Sequence, residues 1–218
     1  DATEGQEYTS GVVVTPNKPN STIAAPTVNG LTVNSEGKVT GKPSGLTWNG
    51  NDEEQTVTIS VTVTHENDQP VTKDVVVKVL RDTDGDGTPD KTDTDDDGDG
   101  IDDNQDSTPK VKTALTAQGT NPTDPVIEGK PYTNTDVVVT ANKPRATISS
   151  TPVHGLSVNG QGQITGTPSF TPEEWGPDEE KTVTIPVTVS HEGDTPVTVN
   201  VEVKVLRDTD GDGTPDKT

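Results

Sequence analysis

Between Asp82 and Asp106 the chain reads DTDGDGTPDKTDTDDDGDGIDDNQD, twelve aspartates and a single basic residue, Lys91, in 25 positions. Such a run repels itself and stays extended unless divalent cations hold it together. Its spacing fits that role. Counting from Asp82, carboxylates fall at loop positions 1, 3, 5, 9 and 12 (Asp82, Asp84, Asp86, Asp90, Asp93), with Gly87 at position 6 and the Thr88 carbonyl at position 7. Counting again from Asp95 gives Asp95, Asp97, Asp99, Gly100, the Ile101 carbonyl, Asp103 and Asp106. Oxygen ligands at alternate residues, a glycine for the sharp turn and one backbone carbonyl make up the pattern of a calcium loop. A third copy runs through Asp208, Asp210, Asp212, Gly213, Thr214 and Asp216 and stops one residue short of position 12, so that site is expected to be weak or empty. All-oxygen ligand sets point to calcium over zinc or copper, and magnesium seldom uses so many protein oxygens. Position 12 is Asp93 or Asp106 where helix-loop-helix sensors carry Glu, and no apolar helical pattern flanks either loop. The loops therefore read as structural clips.

With those residues in view, Asp82–Asp106 resembles the thrombospondin type-3 calcium repeat, an Asp/Gly ribbon in which ions replace a hydrophobic core. The resemblance implies that calcium sets the stiffness of the segment.

The rest of the chain must supply its own core from little material. Val, Ile, Leu and Phe number 43 of 218 residues, which together with a net charge of -21 would suggest disorder if they were evenly spread. They are not. Sixteen of the 37 acidic residues sit in the linker and the Asp208–Asp216 copy, while the apolar residues gather in alternating runs. Cysteine and methionine are absent, so no disulfide framework or thiol chemistry is available. Weak calcium loops suit an extracellular setting, where calcium is around millimolar. No signal peptide, apolar span or basic patch occurs, which argues against membrane insertion within this stretch and against nucleic-acid binding. The chain cuts into repeated units at both ends and reads as a fragment.

The repeat is one of whole domains. Glu4-Gly5 returns as Glu128-Gly129, Gly30-Leu31-Thr32-Val33-Asn34 as Gly155-Leu156-Ser157-Val158-Asn159, and Leu80-Arg81-Asp82 as Leu206-Arg207-Asp208. In each copy a short hairpin is expected around Ser35-Glu36-Gly37 or Gly160-Gln161-Gly162. A long one follows: Val57, Ile59, Val61 and Val63 alternate with Thr and Ser, Val71, Val75, Val77 and Val79 keep the same period of two, and Val183 to Val189 with Val197 to Val205 repeat the pattern. Period two over that length predicts antiparallel strands with one buried face, and no segment shows helical periodicity. The fold class is therefore all-β, two immunoglobulin- or cadherin-like sandwiches joined by a helix-poor calcium linker. The boundaries are residues 1–81 and 107–207 for the sandwiches, 82–106 for the linker and 208–218 for the truncated repeat. Lys110 to Ala117 alternates as a first strand for the second sandwich. The first sandwich has no counterpart, because Asp1 aligns near Pro125, and it should show an exposed edge or a different start.

The segments Gly30-Leu31 to Gly41-Lys42-Pro43 and Gly155-Leu156 to Gly166-Thr167-Pro168 resemble the signature of immunoglobulin-like, dystroglycan/cadherin-like domains of bacterial surface proteins. Joined by type-3-like linkers, such domains resemble the repeat regions of Gram-positive biofilm-associated and enterococcal surface protein adhesins. That resemblance implies a wall-anchored stalk supporting adhesion or biofilm formation, with neighbouring repeats as partners. Two other classes are compatible with the residues: β domains that are themselves adhesive, toward a second copy or a host glycan or protein, and an accessory module of a secreted polysaccharide-degrading enzyme.

No catalytic constellation emerges. His65 and His191 flank turns beside acidic residues without a nucleophile, and His154 has no repeat partner. Glu53-Glu54 and Glu179-Glu180 are adjacent on strands and face opposite ways. Trp48 and Trp175 recur in a long loop, where core capping outweighs sugar stacking. The chain is read as non-enzymatic.

Overall fold

The computed structural model describes residues 1–217. The chain divides into two compact units, Asp1–Lys112 and Thr113 onward. Thr218, the last residue of the truncated repeat, lies outside the described residues.

Unit 1 contains β1 (Ala2–Thr3), β2 (Tyr8–Val12), β3 (Thr22–Ala24), β4 (Leu31–Val33), β5 (Lys38–Gly41), β6 (Glu54–Thr64) and β7 (Val71–Leu80). They form a four-stranded sheet in the order β1-β7-β6-β3 and a three-stranded sheet β2-β5-β4. The inward residues of the long hairpin, Val57, Ile59, Val61, Val77 and Val79, form one buried cluster with Leu31, Val33 and Val39 of the other sheet. This is a sandwich, and its hydrophobic content is almost entirely β-branched, the side-chain type that packs well on a pleated surface. The outward residues of the hairpin are polar except Val76, which is exposed. Ser60 donates to Asp74, and the Thr62 and Thr72 hydroxyls pair across the strands.

Unit 2 repeats the plan with β8 (Ala117–Gly119), β9 (Val126–Ile127), β10 (Tyr132–Thr133), β11 (Val139–Ala141), β12 (Thr147–Ser150), β13 (Leu156–Val158), β14 (Ile164–Gly166), α1 (Pro172–Trp175), β15 (Glu180–Ser190) and β16 (Val197–Leu206). Its sheets are β12-β15-β16-β9, β10-β14-β13 and the pair β11-β8. Both units are β-sandwiches, all-β apart from the four residues of α1.

The recurring glycines of the domain signature have a steric cause. A Cβ on Gly30 would lie 1.9 Å from the Lys42 carbonyl oxygen, and one on Gly41, at φ +129°, would lie 2.1 Å from the Gly30 oxygen. Gly155 and Gly166 make the same approach to Thr167 and to each other. Only glycine lets the two ends of the β4–β5 and β13–β14 hairpins touch.

Two expectations need correction. The first strand of unit 2 does not run from Lys110; it begins at Ala117, and Val111 is exposed. Lys110 is drawn instead into the acidic linker, as described below. One helical turn also exists, α1, where a capping box between Thr171 and Glu174 with proline at the first helical position nucleates four residues ending at the buried Trp175. Its signature, Thr171-Pro172-Glu173-Glu174, is a local capping signal that periodicity over a longer window does not register.

Leu31 and Leu156 are fully buried equivalents in the two cores. Leu31→Ala should destabilise unit 1 by about 2–5 kcal/mol. Hydrogen exchange should show faster opening of β4–β7 with the amides of β13–β16 unchanged.

Candidate metal centre

Three loops, two in unit 1 and one in unit 2, share a single hydrogen-bond skeleton. The position-1 carboxylate accepts from the position-6 glycine N–H: Gly87 to Asp82 at 3.0 Å, Gly100 to Asp95 at 2.9 Å and Gly213 to Asp208 at 2.8 Å. The position-3 carboxylate accepts from position 5: Asp86 to Asp84, Asp99 to Asp97 and Asp212 to Asp210. The position-5 carboxylate accepts from position 7: Thr88 to Asp86, Ile101 to Asp99 and Thr214 to Asp212. These Asx turns wind the backbone so that alternate side chains converge, and they need a positive φ at position 6, where glycine stands at +100°, +88° and +85°.

The result is three clusters, Asp82/Asp84/Asp86, Asp95/Asp97/Asp99 and Asp208/Asp210/Asp212, each with ligand oxygens within 4.8 Å of one another. The position-9 carboxylates turn elsewhere. Asp90, Asp103 and Asp216 accept from the position-2 N–H of Thr83, Asp96 and Thr209 and so close each loop. Asp93 accepts from Thr94 and Asp95, and Asp106 from Thr108. The amide groups of Thr88, Ile101 and Thr214 are held by the turns just described.

The second loop fits a cation best. Asp97 is 2% exposed, and the Oδ2 atoms of Asp97 and Asp106 are buried without a hydrogen-bond partner among the described residues. Burial, then the charges of Asp99, Asp106 and Asp95, push the Asp97 carboxyl up to about 6. Two carboxylates about 4 Å apart repel by about 1 kcal/mol in water and about 4 where partly screened from it. Buried acceptor oxygens with no donor, in an all-oxygen set, suit a hard divalent ion such as calcium. In the first loop Asp82 is also buried, and that burial raises its carboxyl while the Gly85 and Gly87 amides and the Gln6 side chain oppose the shift. The two loops touch: a Cβ on Gly98 would meet Asp84 Oδ2 at 2.6 Å.

A residue the motif reading missed completes the linker. The Lys110 ammonium lies 2.7 Å from Asp90 and 2.5 Å from Asp96, with side chains only 11%, 1% and 6% exposed. Arg81 Nε stands 3.5 Å from the same Asp90. Burial works against charge on Lys110, but its bonds to Asp90 and Asp96 outweigh this and raise its pKa. Burial likewise opposes charge on Asp90, and Lys110 and Thr83 overcome it, so the carboxyl lies below its ordinary value. Lys110 thus ties position 9 of one loop to position 2 of the next. The signal was a lysine just past the acidic run, fourteen residues after Asp96, visible only once the side of each loop opposite its ligand cluster is known.

The other candidates fall to packing. Trp175 is buried in the core with the Arg207 guanidinium 5.8 Å from its ring centre, and Trp48 is matched by Arg81 at 5.9 Å. Trp48 also donates to Glu4. His154 stacks on Phe170, and His65 and His191 pair with Asp68 and Asp194 across their own turns.

No known protein family matches the chain, and no curated protein does. Solved structures do. Extracellular cadherin domains 1–4 of protocadherin gamma B7 align at 15% identity and TM-score 0.37 over 94% of this chain and 42% of that one. A cis-dimer structure of domains 3–6 of the same protocadherin aligns at 14% identity and TM-score 0.35, over 86% and 40%. Drosophila N-cadherin domains 1–3 align at 12% and TM-score 0.31, over 88% and 57%. The chain spans about two fifths to three fifths of the length of these structures. Among the described residues no helix is long and apolar enough to cross a membrane.

Two outcomes follow from the buried charges. The folded pKa of Asp97 lies above the unfolded value, so the folded state binds the extra proton between about pH 4 and pH 6. In chelator, linker stability should fall as pH rises through that window and stay low above it. Asp97→Asn should remove this slope and weaken calcium binding at least about tenfold, as read by proteolysis across pH and by calorimetry. Lys110→Met leaves Asp90 and Asp96 buried without their cation and should cost about 3–5 kcal/mol locally. Hydrogen exchange of residues 82–112 checks it.

Proposed function

We propose that the chain is a calcium-stiffened repeat segment of an extracellular surface protein, serving as the stalk of an adhesin. The observation that carries this reading is the threefold recurrence of one wound Asp/Gly skeleton at the ends of two repeated sandwiches, with buried, donor-less carboxylate oxygens in the second loop. Calcium would be held by Asp82, Asp84 and Asp86, by Asp95, Asp97 and Asp99 together with Asp106, and by Asp208, Asp210 and Asp212. The Thr88, Ile101 and Thr214 carbonyls would serve as backbone ligands. The ion supplies positive charge to a polyanion, and the protein's own amides and Lys110 set the loop path on which that charge acts.

The chemistry of the domains supports a spacer role. Their outer faces are mainly polar apart from a few exposed valines, their histidines and tryptophans have partners within their own unit, and no nucleophile–base pair occurs among the described residues. The bacterial cell-wall setting, with support of adhesion or biofilm, comes from the resemblance of the two domain signatures and the linker to Gram-positive adhesin repeats.

Calorimetric titration of the chelated 218-residue chain should show at least two calcium sites with half-saturation near or below millimolar. Protease cleavage between residues 82 and 112 should be suppressed over the same range, and small-angle scattering should report a narrower spread of distances between the units. Binding with unchanged scattering and cleavage would sink the stalk reading while leaving the sites intact.

A further inference from the structure

Unit 2 carries a strand that unit 1 lacks, and the face it covers persists in unit 1 almost residue for residue. In unit 2 the segment 113–121 lies on β11: Ala117 to Gly119 pair with Ala141 to Val139, Thr120 donates to the Val138 oxygen, and Asn142 donates to the Thr116 oxygen. The Asn142 side chain clamps the same segment, accepting from the Thr116 N–H and donating to the Ala114 oxygen. Leu115 is buried in the core and its N–H bonds to Asp194, which is itself paired with Lys143 at 2.9 Å.

Most receiving groups have their equivalents in unit 1; the exception is Val199, which faces Gly119 and is matched by Lys73. Matching Val13 and Val14 with Val138 and Val139, through their shared bonds to Gly37 and Gly162, places Asn17 on Asn142 and Lys18 on Lys143. The Lys18–Asp68 ion pair has formed at 2.7 Å, but its side chains are 49% and 41% exposed where Lys143 and Asp194 are 2% and 18%. Val13 is 48% exposed against 4% for Val138, and Val71 is 58% exposed where its equivalent Val197 packs against the core. Asn17, Lys18, Val63, His65, Asp68 and Val71 line an open groove of about 270 Å³ at the place Leu115 fills in unit 2. Pro16 does not spoil the edge. It matches Ala141, whose neighbours Thr140 and Asn142 carry the ladder, so the missing N–H falls at a position that does not pair with the strand. The strand β1 is no substitute, because its parallel pairing with Val79 and Leu80 makes it the equivalent of β9, which pairs with Val205 and Leu206.

We infer that this groove is a strand-receiving site. Its occupant is an extended segment with the chemistry of residues 113–121, with a leucine for the pocket, an N–H for Asp68 and backbone groups for Thr15 and the Asn17 clamp. Addition of a strand to an open edge draws affinity from main-chain hydrogen bonds and specificity from alternate side-chain pockets. The inference rests on unit 1 alone and is independent of calcium.

Two presentations of the strand test it on the full 218-residue chain. In the first, a synthetic peptide of residues 112–121 is titrated while amide shifts are followed. Saturable shifts should centre on Val13, Thr15, Asn17, His65 and Val71; Leu115→Asp in the peptide should abolish them, and Asn17→Ala in the protein should weaken binding at least about fivefold. In the second, a copy of residues 112–124 is joined to Asp1, which then stands where Pro125 stands in unit 2, at the high effective concentration of a covalent link. The unit 1 unfolding transition should rise with that of unit 2 unchanged, and the leucine-to-aspartate version should lose the gain. Absence of both the shifts and the stabilisation would overturn the assignment. Protection of the Val13–Asn17 amides that grows with protein concentration, without any added strand, would give the groove to a second copy and overturn the entering-strand reading.

Discussion

Repulsion among aspartates is the constraint on which this molecule's organisation turns. Twelve of them in 25 residues cannot be brought together by apolar burial, because Ile101 and Pro89 are almost all the apolar material there. The chain answers with directed donors. Each loop spends its own amide groups on its own carboxylates, and this both offsets part of the charge and fixes where the remaining oxygens point. Gly87, Gly100 and Gly213 make the path possible, and Lys110 supplies the one buried ammonium that the linker's far side demands. What is left, three sets of converging oxygens, is the part a divalent ion can complete.

The sandwiches solve the opposite problem. They hold few large side chains, so the cores are built from valine on long hairpins, with every second residue inward. Two aromatic groups lie beside the residues that lead into the acidic loops. There Trp48 and Trp175 sit under Arg81 and Arg207, and each arginine also reaches a backbone carbonyl of the preceding loop and the position-9 carboxylate of its own loop. Core packing and loop electrostatics therefore meet at one residue in each unit.

The long hairpins were legible in the sequence because period-two alternation over ten residues has no helical counterpart, and the ligand triads because their spacing repeats three times. What was not legible depended on which side of a turn faces which neighbour. Asp90 and Asp103 share the ligand register with Asp86 and Asp99, yet they close the loop through Thr83 and Asp96, since the carboxylate at position 9 can reach back seven residues to the N–H of position 2. The alternation from Lys110 to Ala117 looked like a strand, but the attraction of two buried aspartates for the ammonium at its start outweighs ladder hydrogen bonds that begin only at Thr116. The four-residue helix at Pro172 is a capping event, too short to leave a period.

The Lys110 anchorage also has a mechanical meaning. The chain leaves the first unit only after Lys112, so tension applied beyond Thr113 is borne first by the contacts of one ammonium with Asp90 and Asp96. Their rupture would release residues 107–112, about 20 Å of contour length, before any strand of the first sandwich carried load. Such a link would set the first step by which the chain lengthens under load, a small one fixed by the six residues it holds.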